Sequence, residues 1–355
     1  MPPFDQEINK IEAPDPVWIG KARQRLSSQT RPEGSLGLLE GYLERISGIQ
    51  KQAALKGAPK HILLFAADHG VADENVSLYP KSVTASMVMN FLNGGATINS
   101  LARSASADVK VIDAGVDFDF QNDPRLISKK IGPGTRNMTK EAAMSGDQLN
   151  AALQLGWDSA AESVRGGAVM LGFGEMGIAN TTAASAVVAA LLKVPPIQVT
   201  GRGTGLKDKA LSHKIGVIEK ALVLHRDRLN HPYAILRCVG GYEIAALTGA
   251  ILACARYSVP AVIDGWIVSA AALAAVRVQP DVAGYLFFAH QSEEPGHNLL
   301  LEALRAKPMF NLGMRLGEAS GAALGMMLLA AAVRVYNEVA TFEEAGVADK
   351  AEEAR

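Results

Sequence analysis

The chain has 355 residues, 48% of them hydrophobic, which is enough for an extended core and exceeds the usual size of one domain. Its 35 Lys and Arg residues balance 36 Asp and Glu residues, which argues against nucleic-acid binding as the main function. The apolar runs 265–276 and 319–333 fall short of the roughly 20 residues of a membrane span, and residues 1–10 do not form a signal peptide. We therefore expect a cytoplasmic protein without membrane insertion.

Short β-rich runs alternate with Ala-rich helical segments through most of the chain. Strands are predicted at 61–67, 109–113, 168–172, 259–264 and 283–288. Helices are predicted at about 82–105, 141–165, 181–193, 208–228, 244–256 and 266–277. Continuous apolar strands that alternate with helices are typical of a parallel sheet covered on both faces, so the predicted fold class is α/β.

The two ends of the chain have a different pattern. Residues 14–56 and about 297–340 show helical periodicity without a convincing strand. We expect these ends to pack together as a small helical lobe. The predicted organisation is a catalytic α/β domain of residues 59–296 and a lobe of residues 1–58 and 297–355.

A glycine-rich segment, Gly172–Gly177, fits the pattern G-x-G-x-x-G between a predicted strand and a helix. The acidic residue that dinucleotide sites carry about 20 positions later is missing, because 178–207 contain no Asp or Glu. Arg202 could face a 2′-phosphate instead, so NADP stays a weaker option. The favoured interpretation is a phosphate or ribose loop, in which Asn180 and Thr181 add a helix cap and a hydroxyl donor near Glu175.

Three further segments carry candidate chemistry. Gly201–Gly205, followed by Lys214, is interpreted as a second phosphate loop or a flexible turn. Asp68–Gly70 lacks a second histidine at metal-ligand spacing, so a polar turn is favoured and no metal is predicted. Glu318 directly precedes a very apolar helix. It is either a helix-capping acid, whose pKa the helix dipole lowers, or a general base whose pKa an apolar pocket raises.

Several motifs occur in the order found in one enzyme family. These segments are Pro32–Gly37, Ala67–Val71, Tyr79–Thr84, Gly174–Thr182, Val239–Ile244, Asp264–Gly265 and Met314–Ala322. Each is weak alone, but together they span nearly the whole chain and resemble nicotinate mononucleotide:5,6-dimethylbenzimidazole phosphoribosyltransferases. The resemblance implies a Rossmann-like parallel sheet with a small helical lobe, and a homodimer.

The resemblance also implies a reaction and its residues. An aromatic base attacks C1′ of the ribose with inversion, and nicotinate leaves. Glu318 resembles the general base, and Glu175 resembles a second carboxylate near the reacting centre. No cofactor is expected. The nucleotide and its phosphate are expected to contact Gly177, Asn180, Thr181, Gly201, Gly203, Lys214 and Ser292.

The expected base pocket consists of Tyr79, Pro80, Val83, Met87 and Leu316. Dimethylbenzimidazole is the default acceptor that the resemblance implies. Many relatives have Gln in the segment that here reads Val83–Met87, and because this amide is missing, other benzimidazoles, purines and phenolics stay open as acceptors. Two other functions remain open from the sequence: an NADP-dependent oxidoreductase and a non-catalytic nucleotide-binding relative.

Overall fold

A computed structural model describes residues 4–203, 205 and 207–348. Within this part of the chain, six strands form one parallel sheet in the order β3-β2-β1-β4-β5-β6. Their bounds are β1 Lys60–Ala67, β2 Ala107–Gly115, β3 Leu126–Ser128, β4 Met170–Met176, β5 Ala261–Ile263 and β6 Leu286–Phe288. The predicted α/β class and its Rossmann-like sheet are confirmed.

Helices connect the strands and cover the sheet. Their bounds are α1 Asp5–Ile8, α2 Pro16–Ser28, α3 Leu38–Gln50, α4 Ser82–Leu92, α5 Thr97–Ala105, α6 Gly146–Arg165, α7 Asn180–Leu192, α8 Asp208–His225, α9 Pro232–Val239, α10 Tyr242–Arg256, α11 Trp266–Val278, α12 Gly296–Ala303, α13 Ser320–Glu338 and α14 Phe342–Ala345. On one face α10 contacts the central strands and packs against α6 and α11, while α13 packs on the other face with α3 and α5. The central strands are therefore buried on both sides, which explains their continuous apolar runs.

Some predicted boundaries were wrong for local reasons. The predicted strand 168–172 lies at Met170–Met176, so the strand extends into the glycine-rich segment. The predicted helix 82–105 is two helices, separated where Gly94 adopts a φ of +77° that a helix interior excludes. Strand β3 and helix α9 were not predicted. The N-terminus of α9 does carry a start signal, since Pro232 occupies its first turn.

The two ends of the chain contact each other, and the C-terminal part also covers the sheet. The Gln29 side-chain amide donates hydrogen bonds to the carbonyl oxygens of Val335, Tyr336 and Val339. In α13, Gly325 lies so close to the sheet that a Cβ there would be 3.2 Å from Val262 Cγ1. A division into a body of 59–296 and a lobe of 1–58 and 297–355 therefore stays a proposal, with α13 bridging the two. Residues 349–355 of that lobe lie outside the described part.

Among the described residues, α13 is one helix whose length and composition would suit a membrane span. About half of its apolar window, 56%, is buried within the protein, because the helix packs on the sheet. A buried core helix meets the same criterion, so α13 is weak evidence for membrane insertion. Cys238 and Cys254 are both buried and free.

Candidate active site

A cavity of about 490 Å³ opens at the carboxyl ends of β4, β5 and β6. It lies beside the position where the strand order reverses between β1 and β4, which is the usual ligand site of an open parallel sheet. Its walls include Glu175 at the end of β4, Asp264 after β5 and His290 after β6. The loop before α13 closes one side of it, and that loop carries Glu318.

The glycines of Gly172–Gly177 do not form a phosphate loop as a unit. Gly172 and Gly174 lie inside β4 and make room for the segment that packs on it. A Cβ at Gly174 would lie 2.5 Å from the backbone nitrogen of Ala319. Glu175 is thus a strand residue, and the interpretation of the whole segment as a nucleotide loop was wrong. Only Gly177, after the strand, belongs to the turn that lines the cavity.

Glu318 lies in a backbone segment of unusual conformation. Gly317, Glu318 and Ala319 have φ values of +83°, +59° and +62°, three consecutive left-handed residues just before α13. Glu318 is 9% exposed. Burial, and then the negative charge of Asp264, raise the pKa of Glu318 to about 7. Desolvation thus outweighs the helix dipole, and this carboxyl titrates where a general base is effective.

Glu175 is a second buried carboxyl, facing the same cavity. The Asn180 side-chain amide donates a hydrogen bond to it. Burial is the largest cause that raises the pKa of Glu175 to about 8, and the charges of Asp264, Glu243 and Glu318 add to it. In the free protein at neutral pH, this group therefore mostly retains its proton.

The predicted phosphate residues gather at the N-terminus of α7. Lys214 Nζ lies 2.8 Å from Thr181 Oγ1 and 3.3 Å from the carbonyl oxygen of Gly201. Gly203 has a φ of +52°, and a Cβ there would be 3.1 Å from Thr181 Oγ1. Burial lowers the pKa of Lys214 to about 8, against the opposing effect of Glu294. An anion that reaches this corner would meet a lysine, a hydroxyl and a helix N-terminus.

Most of the residues predicted for the site line this cavity. They are Glu175, Glu318, Gly177, Asn180, Thr181, Gly203, Ser292, Tyr79, Val83, Met87 and Leu316. Lys214 lines a smaller adjoining cavity together with Thr181 and Gly203. Gly201 and Pro80 line neither of these cavities. The carbonyl oxygen of Gly201 contacts Lys214 instead, and Pro80 is exposed just before α4.

The structure adds residues to which the sequence analysis assigned no role. Asp264, Trp266, His290, Glu294 and Arg315 all line the cavity. The signal for Asp264 and His290 was their position directly after predicted strands, where parallel sheets bind ligands. Arg315 lies in the motif Met314–Ala322, but no role was assigned to it, and no pattern distinguished Glu294 from a surface charge. Within the described residues, no group of three or more His, Cys, Asp or Glu side chains could hold a metal ion.

Known proteins are similar to this chain in sequence and in fold. A family model described as "Phosphoribosyltransferase" matches residues 11–347. This chain belongs to that phosphoribosyltransferase family. The nicotinate-nucleotide–dimethylbenzimidazole phosphoribosyltransferase of Geobacter sp. (strain M21) is 46% identical over 344 residues, which are 97% of this chain and 99% of the relative. The enzyme of the same name from Chloroflexus aggregans is 47% identical over 347 residues, 98% of each chain.

A solved structure agrees with the fold. The crystal structure of the nicotinate-nucleotide–dimethylbenzimidazole phosphoribosyltransferase from Thermus thermophilus superimposes with a TM-score of 0.89 at 40% identity, covering 95% of this chain and all of that one. The similarity that the sequence motifs indicated is thereby confirmed, and the chain is an enzyme of the phosphoribosyltransferase class. The alternative of an NADP-dependent oxidoreductase is not supported, because two of the three glycines of its fingerprint, Gly172 and Gly174, lie inside β4.

Proposed function

We propose that this enzyme transfers ribose 5-phosphate from nicotinate mononucleotide to 5,6-dimethylbenzimidazole or a related base, giving the α-ribotide and nicotinate. The observation that carries the proposal is Glu318, a buried carboxyl with a pKa of about 7 between an apolar wall and an anion-binding corner. Family membership supports the same assignment, since the relatives carry this activity in their names.

The acceptor base would lie against the apolar wall. Tyr79, Val83, Met87 and Leu316 line the cavity on the side that holds Glu318. Tyr79 and Leu316 are half exposed, so a flat ring placed against them would remove apolar surface from water. The Tyr79 hydroxyl and the Met87 thioether are the two polar groups that these four side chains offer. Such a wall favours a benzimidazole over a purine, whose extra nitrogen atoms would lack hydrogen-bond partners there.

The nucleotide would enter from the other end. Its phosphate would accept hydrogen bonds from backbone groups near Gly177 and Gly203, from Thr181 and from the Lys214 ammonium. Ser292, which lines the main cavity, would contact the nucleotide between its phosphate and its nicotinate ring. In this proposed arrangement, the ribose would lie between Glu175 and Glu318.

The chemistry then balances with these two carboxyl groups. A ring nitrogen of the base forms a bond to C1′, the C1′–nitrogen bond to nicotinate breaks, and its electron pair returns to the pyridine nitrogen. The new azolium loses its other N–H proton to ionised Glu318. Glu175 lies where positive charge develops at C1′, and that charge favours its ionised form. Nicotinate needs no proton at the nitrogen by which it leaves.

We also propose that the protein is cytoplasmic, as its apolar runs and N-terminus predicted, and that it is a homodimer, as the motif resemblance implies. Leu38 and Leu312 are large apolar side chains that remain half exposed or more in the single chain, and an interface would cover such residues. Sedimentation velocity would test the dimer, and a single monomeric species at micromolar concentration would refute it.

Product analysis tests the reaction itself. The protein is incubated with nicotinate mononucleotide and, separately, dimethylbenzimidazole, benzimidazole, adenine and phenol, and the products are identified by chromatography and mass. We expect nicotinate and an α-ribotide, fastest with dimethylbenzimidazole. The Glu318→Gln variant should be slowed by about 10²–10⁴-fold. Glu302→Gln, at an exposed glutamate of α12, is the matched control and should match wild type.

Two results would contradict the proposal. Nucleotide binding without nicotinate release for any base would favour a non-catalytic nucleotide-binding relative. Full activity of the Glu318→Gln variant would remove Glu318 from the role of general base while leaving the transferase assignment in place.

A further inference from the structure

Asp264, to which the mechanism above gives no role, connects the end of β5 to the segment that carries Glu318. The backbone nitrogen of Ala322, in the first turn of α13, donates a hydrogen bond of 2.9 Å to Asp264 Oδ1. The residue at the N-cap of α13, Ala319, has no side-chain acceptor to offer. The Asp264 carboxylate, which follows β5, thus accepts from a backbone N–H group that is usually paired with the side chain of the helix's own N-cap residue.

The segment that Asp264 secures is strained. Glu318 and Ala319 are both left-handed, a backbone conformation that is unfavourable for residues other than glycine. Such a conformation persists only where surrounding contacts enforce it. Gly174 of β4 lies against Glu318 and Ala319, and Asp264 holds the first turn of α13, which follows these two residues. Glu318 therefore lies between two fixed points.

The close approach of β5, β6 and α13 depends on glycines. A Cβ at Gly321 would lie 2.1 Å from His290 Cδ2 and 2.9 Å from Asp264 Oδ1. His290 Nε2 is 3.9 Å from Asp264 Oδ1, and both side chains are 1% exposed. His290 Nε2 and Asp264 Oδ2 have no hydrogen-bond partner among the described residues. Oδ1 of Asp264 thus faces both the first turn of α13 and the imidazole of His290.

We infer that Asp264 is a positioning residue, which holds Glu318 in its reactive geometry through α13 and keeps it a stronger base through its own charge. This inference rests on the proposed function. The charge on Asp264 is one of the two causes that raise the pKa of Glu318, after burial. The other titratable groups that line the cavity are Tyr79 before α4, Glu175 from β4, His290 and Glu294 after β6, and Arg315 on the same loop as Glu318.

Two substitutions separate the two effects. Asp264→Ala removes the acceptor for Ala322 and the charge together, and should lower kcat by about 100-fold because a displaced catalytic group costs that much. The KM for nicotinate mononucleotide should stay within about threefold, since the phosphate corner is unchanged. Asp264→Asn retains an oxygen that can accept from Ala322, and should recover most of kcat. Its acid limb in kcat/KM should move to lower pH by about half a unit or more.

Asp15→Ala is the matched control, because Asp15 caps α2 away from the cavity and accepts from the Val17 nitrogen at 2.8 Å. It should lower Tm, as Asp264→Ala does, without changing kcat. If Asp264→Ala and Asp15→Ala both have a lower Tm than wild type and neither has a lower kcat, the inference is refuted. An Asp264→Asn variant with an unmoved acid limb would also refute it, and this variant suffices if Asp264→Ala does not fold.

A readout without turnover separates this inference from the proposed function. Titration of the Glu318 carboxyl by ¹³C NMR, assigned by its absence in Glu318→Gln, should give a lower midpoint in Asp264→Asn than in wild type. A lower midpoint in a protein that releases no nicotinate would leave the electrostatic link intact and overturn the transferase assignment. An equal midpoint would overturn the link, whatever the enzyme's activity.

Discussion

Replacing Glu175 by Gln should change the pH dependence of folding stability. Glu175 is 5% exposed, and burial with three neighbouring carboxyl groups raises its pKa from 4.5 to about 8. The folded protein therefore retains this proton at a pH where the unfolded chain has released it. The stability that this proton contributes is fully present below 4.5, the pKa of Glu175 in the unfolded chain, and is lost as pH rises to about 8. Gln is a neutral isostere whose oxygen can still accept from Asn180, so the variant lacks this dependence.

The magnitude follows from the pKa shift. Between pH 5 and pH 8, the free energy of unfolding of wild type should fall relative to the variant by about 4 kcal/mol, at about 1.4 kcal/mol per pH unit. For a chain of this length, that corresponds to a change of about 5 °C in Tm. The variant should thus gain stability over wild type as pH rises, although it loses a carboxyl from the candidate active site.

Urea unfolding at pH 5, 6, 7 and 8, with thermal melts in parallel, measures this difference. Glu302→Gln, at an exposed glutamate, serves as the control and should follow wild type at every pH. A constant difference between Glu175→Gln and wild type over this range would refute the reasoning, because it would mean that Glu175 is already ionised in the folded protein at pH 5.

Three further predictions concern catalysis. The kcat/KM of wild type should rise with pH up to about pH 8 as Glu318 ionises, and a pH–rate profile of Glu318→Gln should lack that limb. Lys214→Met should raise the KM for nicotinate mononucleotide at least about 10-fold, with a smaller effect on kcat. In wild type, the affinity for the nucleotide, measured by calorimetry, should weaken above pH 8 because Lys214 then loses its proton. Gly174→Ala should lower kcat about 10-fold or more, because its Cβ would meet the backbone of Ala319. Gly172→Ala should stay near wild type, because its Cβ would meet the flexible end of Met326 and would lie at 3.4 Å from Ile62 Cγ1, an ordinary contact distance. Unchanged steady-state kinetics for Gly174→Ala, or equal losses for both glycine variants, would show that this segment does not position Glu318.

Periodicity alone located much of the sheet. The run of apolar residues from His61 to Ala67 predicted a strand buried on both faces, and β1 is one. The same reasoning failed at Met170–Met176, because glycine within a strand and glycine in a loop look alike in sequence. Packing decided between them: Gly174 is small so that Ala319 can lie against it. The break between α4 and α5 was missed for the related reason that a helix tolerates some glycines and ends at others.

The sequence by itself determined the fold class and, through motifs in family order, the reaction class and half of the cavity-lining residues. It could not determine the pKa of Glu318, because a helix dipole and an apolar pocket shift a carboxyl in opposite directions. Only the tertiary structure, which buries Glu318 beside Asp264, decided in favour of the raised value. It also brought Asp264 and His290 to the same cavity from different strands, since burial and charge proximity depend on distances between segments that are far apart in the chain.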